Sequence, residues 1–231
     1  MASTGTRRSP VPNRTVTAGR RAVKAERSAT GGPAGNEQLT AATGVILLVL
    51  LAALGVTILQ IGPLIWLHFF LGLLLIGPIG LKMASTGYRF IRYYTGDASY
   101  VRKGPPEQWL RLLAPGVVLS TIGVFTSGVV LLFVGPAHRG FWFSIHKVTF
   151  FVWLAVTGLH VLGHLPGMPA GLRATSLNGT SARGGQAGGA GRAIAVAGAV
   201  VGGLVLAVAL IPQFATWTAH PALWQHHHHD G

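Results

Sequence analysis

A polytopic all-α membrane helix bundle is the fold class this sequence predicts, and three observations predict it. Half of the 231 residues are apolar and only 10% are charged. The apolar residues gather in runs of about 20 or more, the length a helix needs to cross ~30 Å of hydrocarbon. The cations are segregated along the chain. Seven (Arg7, Arg8, Arg14, Arg20, Arg21, Lys24 and Arg27) precede the first apolar run, and six lie between Lys82 and Arg111. Arg173, Arg183 and Arg192 precede the last run, and the alternate segments carry only Arg139 and Lys147. By the positive-inside rule this alternation puts the N-terminus in the cytoplasm and the C-terminus outside. The formal charge of +13 is then a matter of topology, and no nucleic acid is expected as a partner. The absence of cysteine excludes disulfides, thiolate-held iron–sulfur clusters and cysteine-ligated zinc.

Residues 1–38 mix Ser, Thr, Arg, Gly, Pro and Ala with almost no large apolar side chain, so a disordered basic cytoplasmic tail is expected there. The first span is predicted over 39–61, and the short turn Gln60-Ile61-Gly62-Pro63 makes it an antiparallel neighbour of the second, over 64–81. That second helix is open to continuation through Lys82 into STGYRFIRYYTGD, where Tyr88, Tyr93 and Tyr94 suit a membrane interface. Residues 96–109, with Gly104-Pro105-Pro106, read as an inner loop. The third span, 113–134, is rich in small residues (Ser120, Thr121, Gly123, Thr126, Ser127, Gly128) that let helices or a flat cofactor approach closely. A turn at 135–140 leads into the fourth span, 141–165. The Gly/Ala/Ser-rich stretch 167–191 reads as a flexible linker, and 192–212 as a fifth span with a small-x-x-x-small pair at Gly198 and Gly202. Residues 213–231, with Trp217, His220, Trp224 and His226–His229, are expected as an outer tail.

Chemistry in such a chain has to sit among the helices, because no polar segment is long enough for a catalytic domain. Ionisable or ligand-type side chains within hydrocarbon-length segments are costly and mark candidate sites. His68 and His146 each lie about five residues into a span that runs from outside to inside, hence at one level. Pairing His68 with His160 instead would mismatch heights by about 21 Å at ~1.5 Å per residue. At about 100° per residue, His160 and His164 fall near the helix face of His146. The expectation is that His68 and His146 hold one haem, although a single membrane histidine is often just an interhelical hydrogen bonder.

The strings LHFFLG, LKMASTGYRFIRYYTGD and HKVTFFVWLAVTGLHVLGH, set in four consecutive spans over 40–166, resemble the bacterial four-helix b-type cytochromes. That class includes ferric-reductase-like and hydrogenase- or formate-dehydrogenase-associated haem subunits. The resemblance implies a four-helix haem-binding core in the plasma (inner) membrane. It implies two b haems held by paired histidines, relaying electrons between a menaquinone-type quinone and a redox partner protein. His68 and His146 match the outer pair and His160 the fourth-span half of the inner pair. The second-span position about fourteen residues after His68 holds Lys82, not histidine. Three completions stay open: Met83 as a thioether ligand, Lys82 as a neutral amine, or no inner haem, with His160 and His164 bonding a quinone or neighbouring helices.

Arg139 and Lys147 are interface anchors or propionate partners. Trp66, Phe69, Phe70, Phe150 and Phe151 are apolar bulk that would tune a haem nearby. The run His226, His227, His228 and His229 is an expression tag or a cluster able to take Cu²⁺, Ni²⁺ or Zn²⁺. The leading expectation is an electron-transfer subunit of an oxidoreductase, not a complete enzyme. The alternatives are a haem-free transporter or metal-handling protein using the same histidines, and a purely structural subunit. Against transport, no span contains Asp or Glu.

Overall fold

The computed structural model describes residues 32–102, 108–164 and 189–219, all of it helical or turn. The tail 1–31, the linker 167–188 and the histidine run 226–229 lie outside the described residues. Among the described residues seven α-helices follow one another: α1 (Gly32–Leu59), α2 (Ile61–Tyr94), α3 (Ala98–Val101), α4 (Gln108–Val134), α5 (Arg139–His164), α6 (Gly189–Ala209) and α7 (Ile211–Thr218). Five of them, α1, α2, α4, α5 and α6, are long and apolar enough to cross a membrane, so the chain is a multi-pass membrane protein.

The boundaries differ from the sequence reading where polar partners decide them. α1 begins at Gly32, inside the stretch expected to be disordered. Its first turns are tied to α2 by Asn36 Nδ2 donating to Ser85 O at 3.1 Å and by a Glu37–Arg89 ion pair at 3.7 Å. α2 runs 34 residues, about 50 Å at ~1.5 Å per residue, so beyond Lys82 it outreaches ~30 Å of hydrocarbon. It stops at Gly96, whose φ of +79° suits a residue without Cβ. There Gly96 N–H donates to Tyr93 O and Asp97 N–H to Arg92 O, which is a Schellman motif. Asp97 then caps α3 by accepting from Ser99 N–H at 2.9 Å. That bond, with Arg92 3.6 Å away, holds the Asp97 carboxyl below the usual carboxylate range. Gly135, with φ +75°, makes the corresponding turn between α4 and the 3-10 turn Pro136–His138.

Two hairpins form the scaffold. α1 packs along α2, and α4 packs along α5, whereas α2 meets α4 only locally and α2 and α5 do not pack along their lengths. α6 packs along α2 by backbone contact: a Cβ at Gly77 would overlap the Ala199 carbonyl, and one at Gly203 would overlap the Leu74 carbonyl. Pro78 explains why that carbonyl is available, since proline has no N–H to donate to the residue four before it. The close pair is therefore Ala199 and Gly203. The pair expected from sequence, Gly198 and Gly202, has open space around it.

Residues 213–218, expected as the start of an outer tail, instead continue as α7 and fold back onto the bundle. Phe214 and Trp217 are buried with Ile65 and Leu73 of α2, Leu131 and Leu132 of α4 and Ala207 of α6. Trp217 Nε1 donates to Leu132 O at 3.1 Å. An aromatic pair that can bury this much area does not stay in a tail, and its one polar atom finds an acceptor. This cluster gathers the start of α2, the end of α4, the start of α5 and α7 at one end of the bundle, called here the histidine end.

Candidate histidine site between the hairpins

His68 and His146 are each the eighth residue of a helix that starts at the histidine end. Each is half-buried. Both histidines thus lie two turns into helices that start at the same end of the bundle, and those helices do not pack along their lengths. Gly72, one turn beyond His68 on the same face of α2, has open space where a side chain would stand.

Both rings are held from behind by the histidine-free helix of their own hairpin. Thr57 Oγ1 on α1 lies 2.9 Å from His68 Nδ1. Ser127 Oγ on α4 lies 3.1 Å from His146 Nδ1. A hydroxyl has one hydrogen, and Thr57 donates its own to Leu54 O at 2.6 Å. Ser127 likewise donates to Val124 O at 3.0 Å. With the hydroxyl hydrogen on that carbonyl, each oxygen is left to accept from the imidazole, an arrangement that suits an Nδ1–H tautomer with a lone pair on Nε2. Thr57 and Ser127 are buried, at 1% and 3% exposure, so water does not compete for these bonds.

His146 is confined further. A Cβ at Gly128 would stand 3.1 Å from His146 Cε1, so only glycine leaves the ring its present place. Thr149, one turn on, lies 3.1 Å from Ser127 Oγ and bonds back to Ile145 O. Trp153 Nε1 donates to Thr121 Oγ1 at 3.1 Å, extending this polar seam along α4 and α5. On the other hairpin Trp66 stacks on Phe70 at 5.3 Å, and Phe69 meets Phe214 and Trp217 at 5.5 Å each, so α7 roofs the residues flanking His68. Phe150 contacts Phe151 and Trp153.

The inner candidates are not gathered in the same way. Lys82 is turned into its own hairpin, where Nζ donates to Thr40 O at 2.7 Å and rests beside Gly44. Ser85 and Thr40 complete that polar knot at 3.1 Å. Lys82 therefore faces α1, and its ammonium already has an acceptor. Met83 is half-buried next to it, and His160 is half-buried fourteen residues after His146. The side chain of His164 lies outside the described residues. Lys147 Nζ sits over the Phe143 ring at 4.8 Å, and Arg139 opens α5, which places both cations at the histidine end. Among the described residues no three His, Asp or Glu side chains converge on one point.

Sequence reasoning found the two imidazoles and missed Thr57. Ser127 and Gly128 were visible only as members of a run of small residues. A hydroxyl in an apolar span ordinarily satisfies itself on its own helix, and Thr57 does so through Leu54 O; its second partner belongs to the tertiary fold. No protein-family model, no curated protein and no solved structure matches the chain.

Proposed function

We propose that this chain is a membrane electron-transfer protein holding one haem b between His68 and His146. The observation that carries the reading is the matched pair of imidazoles, each the eighth residue of its helix and each with Nδ1 on a buried hydroxyl of the neighbouring helix, on two helices that do not pack along their lengths. Metal-ligating histidines commonly present one nitrogen to the metal and donate the other N–H to a neighbouring oxygen. Iron held by two neutral imidazoles exchanges single electrons, with no open position for substrate. The chain's own residues do the rest. Thr57 and Ser127 hold the Nδ1 protons, and Phe69, Phe214 and Trp217 exclude water from the histidine end. Arg139 and Lys147 supply cations for the propionates.

The distribution of Lys and Arg supports a cytoplasmic N-terminus and an outer location for this site, and the resemblance to bacterial b-type cytochromes supports residence in the plasma membrane. The partners proposed are a menaquinone-type quinone and an extracytoplasmic or membrane redox protein. A second haem is not proposed, because Lys82 is engaged with α1 and gives His160 no opposing ligand. Metal transport through the same histidines gains no support from the geometry among the described residues, which offers two imidazoles and no carboxylate.

The test is a reduced-minus-oxidised spectrum of the full chain purified in detergent from haem-supplied cells, with pyridine haemochrome counting. One haem per chain is expected, lost in His68→Ala and in His146→Ala. No haem in the wild type, or full haem in either variant, would overturn the reading.

A further inference from the structure

We infer that Thr57 and Ser127 are positioning residues that fix the proton, plane and basicity of the two imidazoles; this deepens the haem reading and rests on it. The two hairpins repeat one device. In each, the second helix carries a histidine at its eighth position, and the first helix carries a buried hydroxyl that meets Nδ1. In each, that hydroxyl also lies within hydrogen-bond distance of the carbonyl three residues before it, Leu54 O or Val124 O.

A histidine that merely needed one hydrogen bond in the membrane would be served through either nitrogen and by a donor or an acceptor. Here the same nitrogen is engaged twice, and both times by a hydroxyl that has a backbone carbonyl in reach to take its own hydrogen, which leaves its lone pairs for Nδ1–H. A fixed acceptor at Nδ1 does three things to an imidazole. It excludes the Nε2–H tautomer, which has no lone pair for iron on that nitrogen. It sets the ring plane, because the N–H must lie along the line to oxygen. It also draws the Nδ1 proton outward and raises electron density at Nε2, which makes a stronger ligand and favours the oxidised iron. On α4 the ring is also bounded by Gly128 and the Ser127–Thr149 pair, so His146 is the more tightly set of the two.

Two readouts on the full chain test this, one of them independent of haem. In haem-free protein carrying ¹⁵N-histidine, nitrogen chemical shifts report which ring atom is protonated. The expected wild-type result is Nδ1–H at both residues. Thr57→Val should release His68 alone to an Nε2–H or mixed population, and Ser127→Ala should release His146 alone. Thr57→Ser and Ser127→Thr, which keep the hydroxyl, should restore the wild-type tautomers and guard against a folding artefact.

In haem-loaded protein, Thr57→Val and Ser127→Ala should weaken haem retention roughly 10–100-fold and move the midpoint potential upward, with rescue by the same conservative variants. Wild-type tautomers in Thr57→Val and Ser127→Ala, or unchanged retention and potential, would overturn the inference. A wild type that takes up no haem defeats the proposed function instead, and the nitrogen shifts alone then judge the tautomer lock.

Discussion

Gly128 sets where the His146 ring can stand, and the contrast with its neighbour Gly123 makes the point measurable. An added Cβ at Gly128 would meet the imidazole at 3.1 Å, whereas one at Gly123 would rest 3.5 Å from Thr149 Cγ2, an ordinary contact. Gly128→Ala is therefore expected to displace the ring, lengthen its bond to Ser127 and lower haem retention several-fold, while Gly123→Ala leaves the spectrum unchanged. Optical titration of both variants with haem checks this. At this scale the sequence was informative about the two imidazoles and silent about what they bond to. The two histidines stood out because imidazole is rare in hydrocarbon-length runs. Lys82 stood out for the same reason, yet its role depends on Gly44, which leaves the long side chain a way to Thr40 O that no spacing rule displays.

Between helices, the junction of α2 with α6 depends on two glycines and one proline. Gly77 and Gly203 bring backbone against backbone, and Pro78 frees the Leu74 carbonyl that Gly203 covers, an arrangement suited to Cα–H···O contacts. Gly203→Ala forces a methyl into that carbonyl, and overpacking of this kind costs about 1–3 kcal/mol. A lowered thermal midpoint in detergent is expected for Gly203→Ala and Gly77→Ala, and none for Gly198→Ala or Gly202→Ala, whose surroundings are open. Equal effects at all four positions would contradict the packing described. The existence and order of the five spans were legible because hydrocarbon thickness dictates their length. The face of α6 was not, because its small residues occur on every side and the choice of face is made by Pro78 on another helix. α7 was missed for a related reason: Phe214 and Trp217 look like interfacial aromatics until α2 and α4 supply a place to bury them.

At the level of the molecule, two hairpins that touch only locally are joined at one end by the α7 aromatics and Trp217's bond to Leu132 O. This leaves His68 and His146 on separate hairpins, each two turns from the end where α7 joins them. α6 packs along α2 as α1 does, so α2 is flanked by two helices of the chain, and the four-helix core expected from the resemblance is not marked off from the fifth span. The central claim is that iron bridges these two imidazoles and no other pair. Near-infrared magnetic circular dichroism of the oxidised, purified full chain reads the axial ligand pair directly. A low-spin signature of two neutral histidines, accounting for all the bound haem, is the expected result. A histidine–methionine signature, which would bring Met83 into play, a high-spin iron with one ligand missing, or a protein without haem would contradict it.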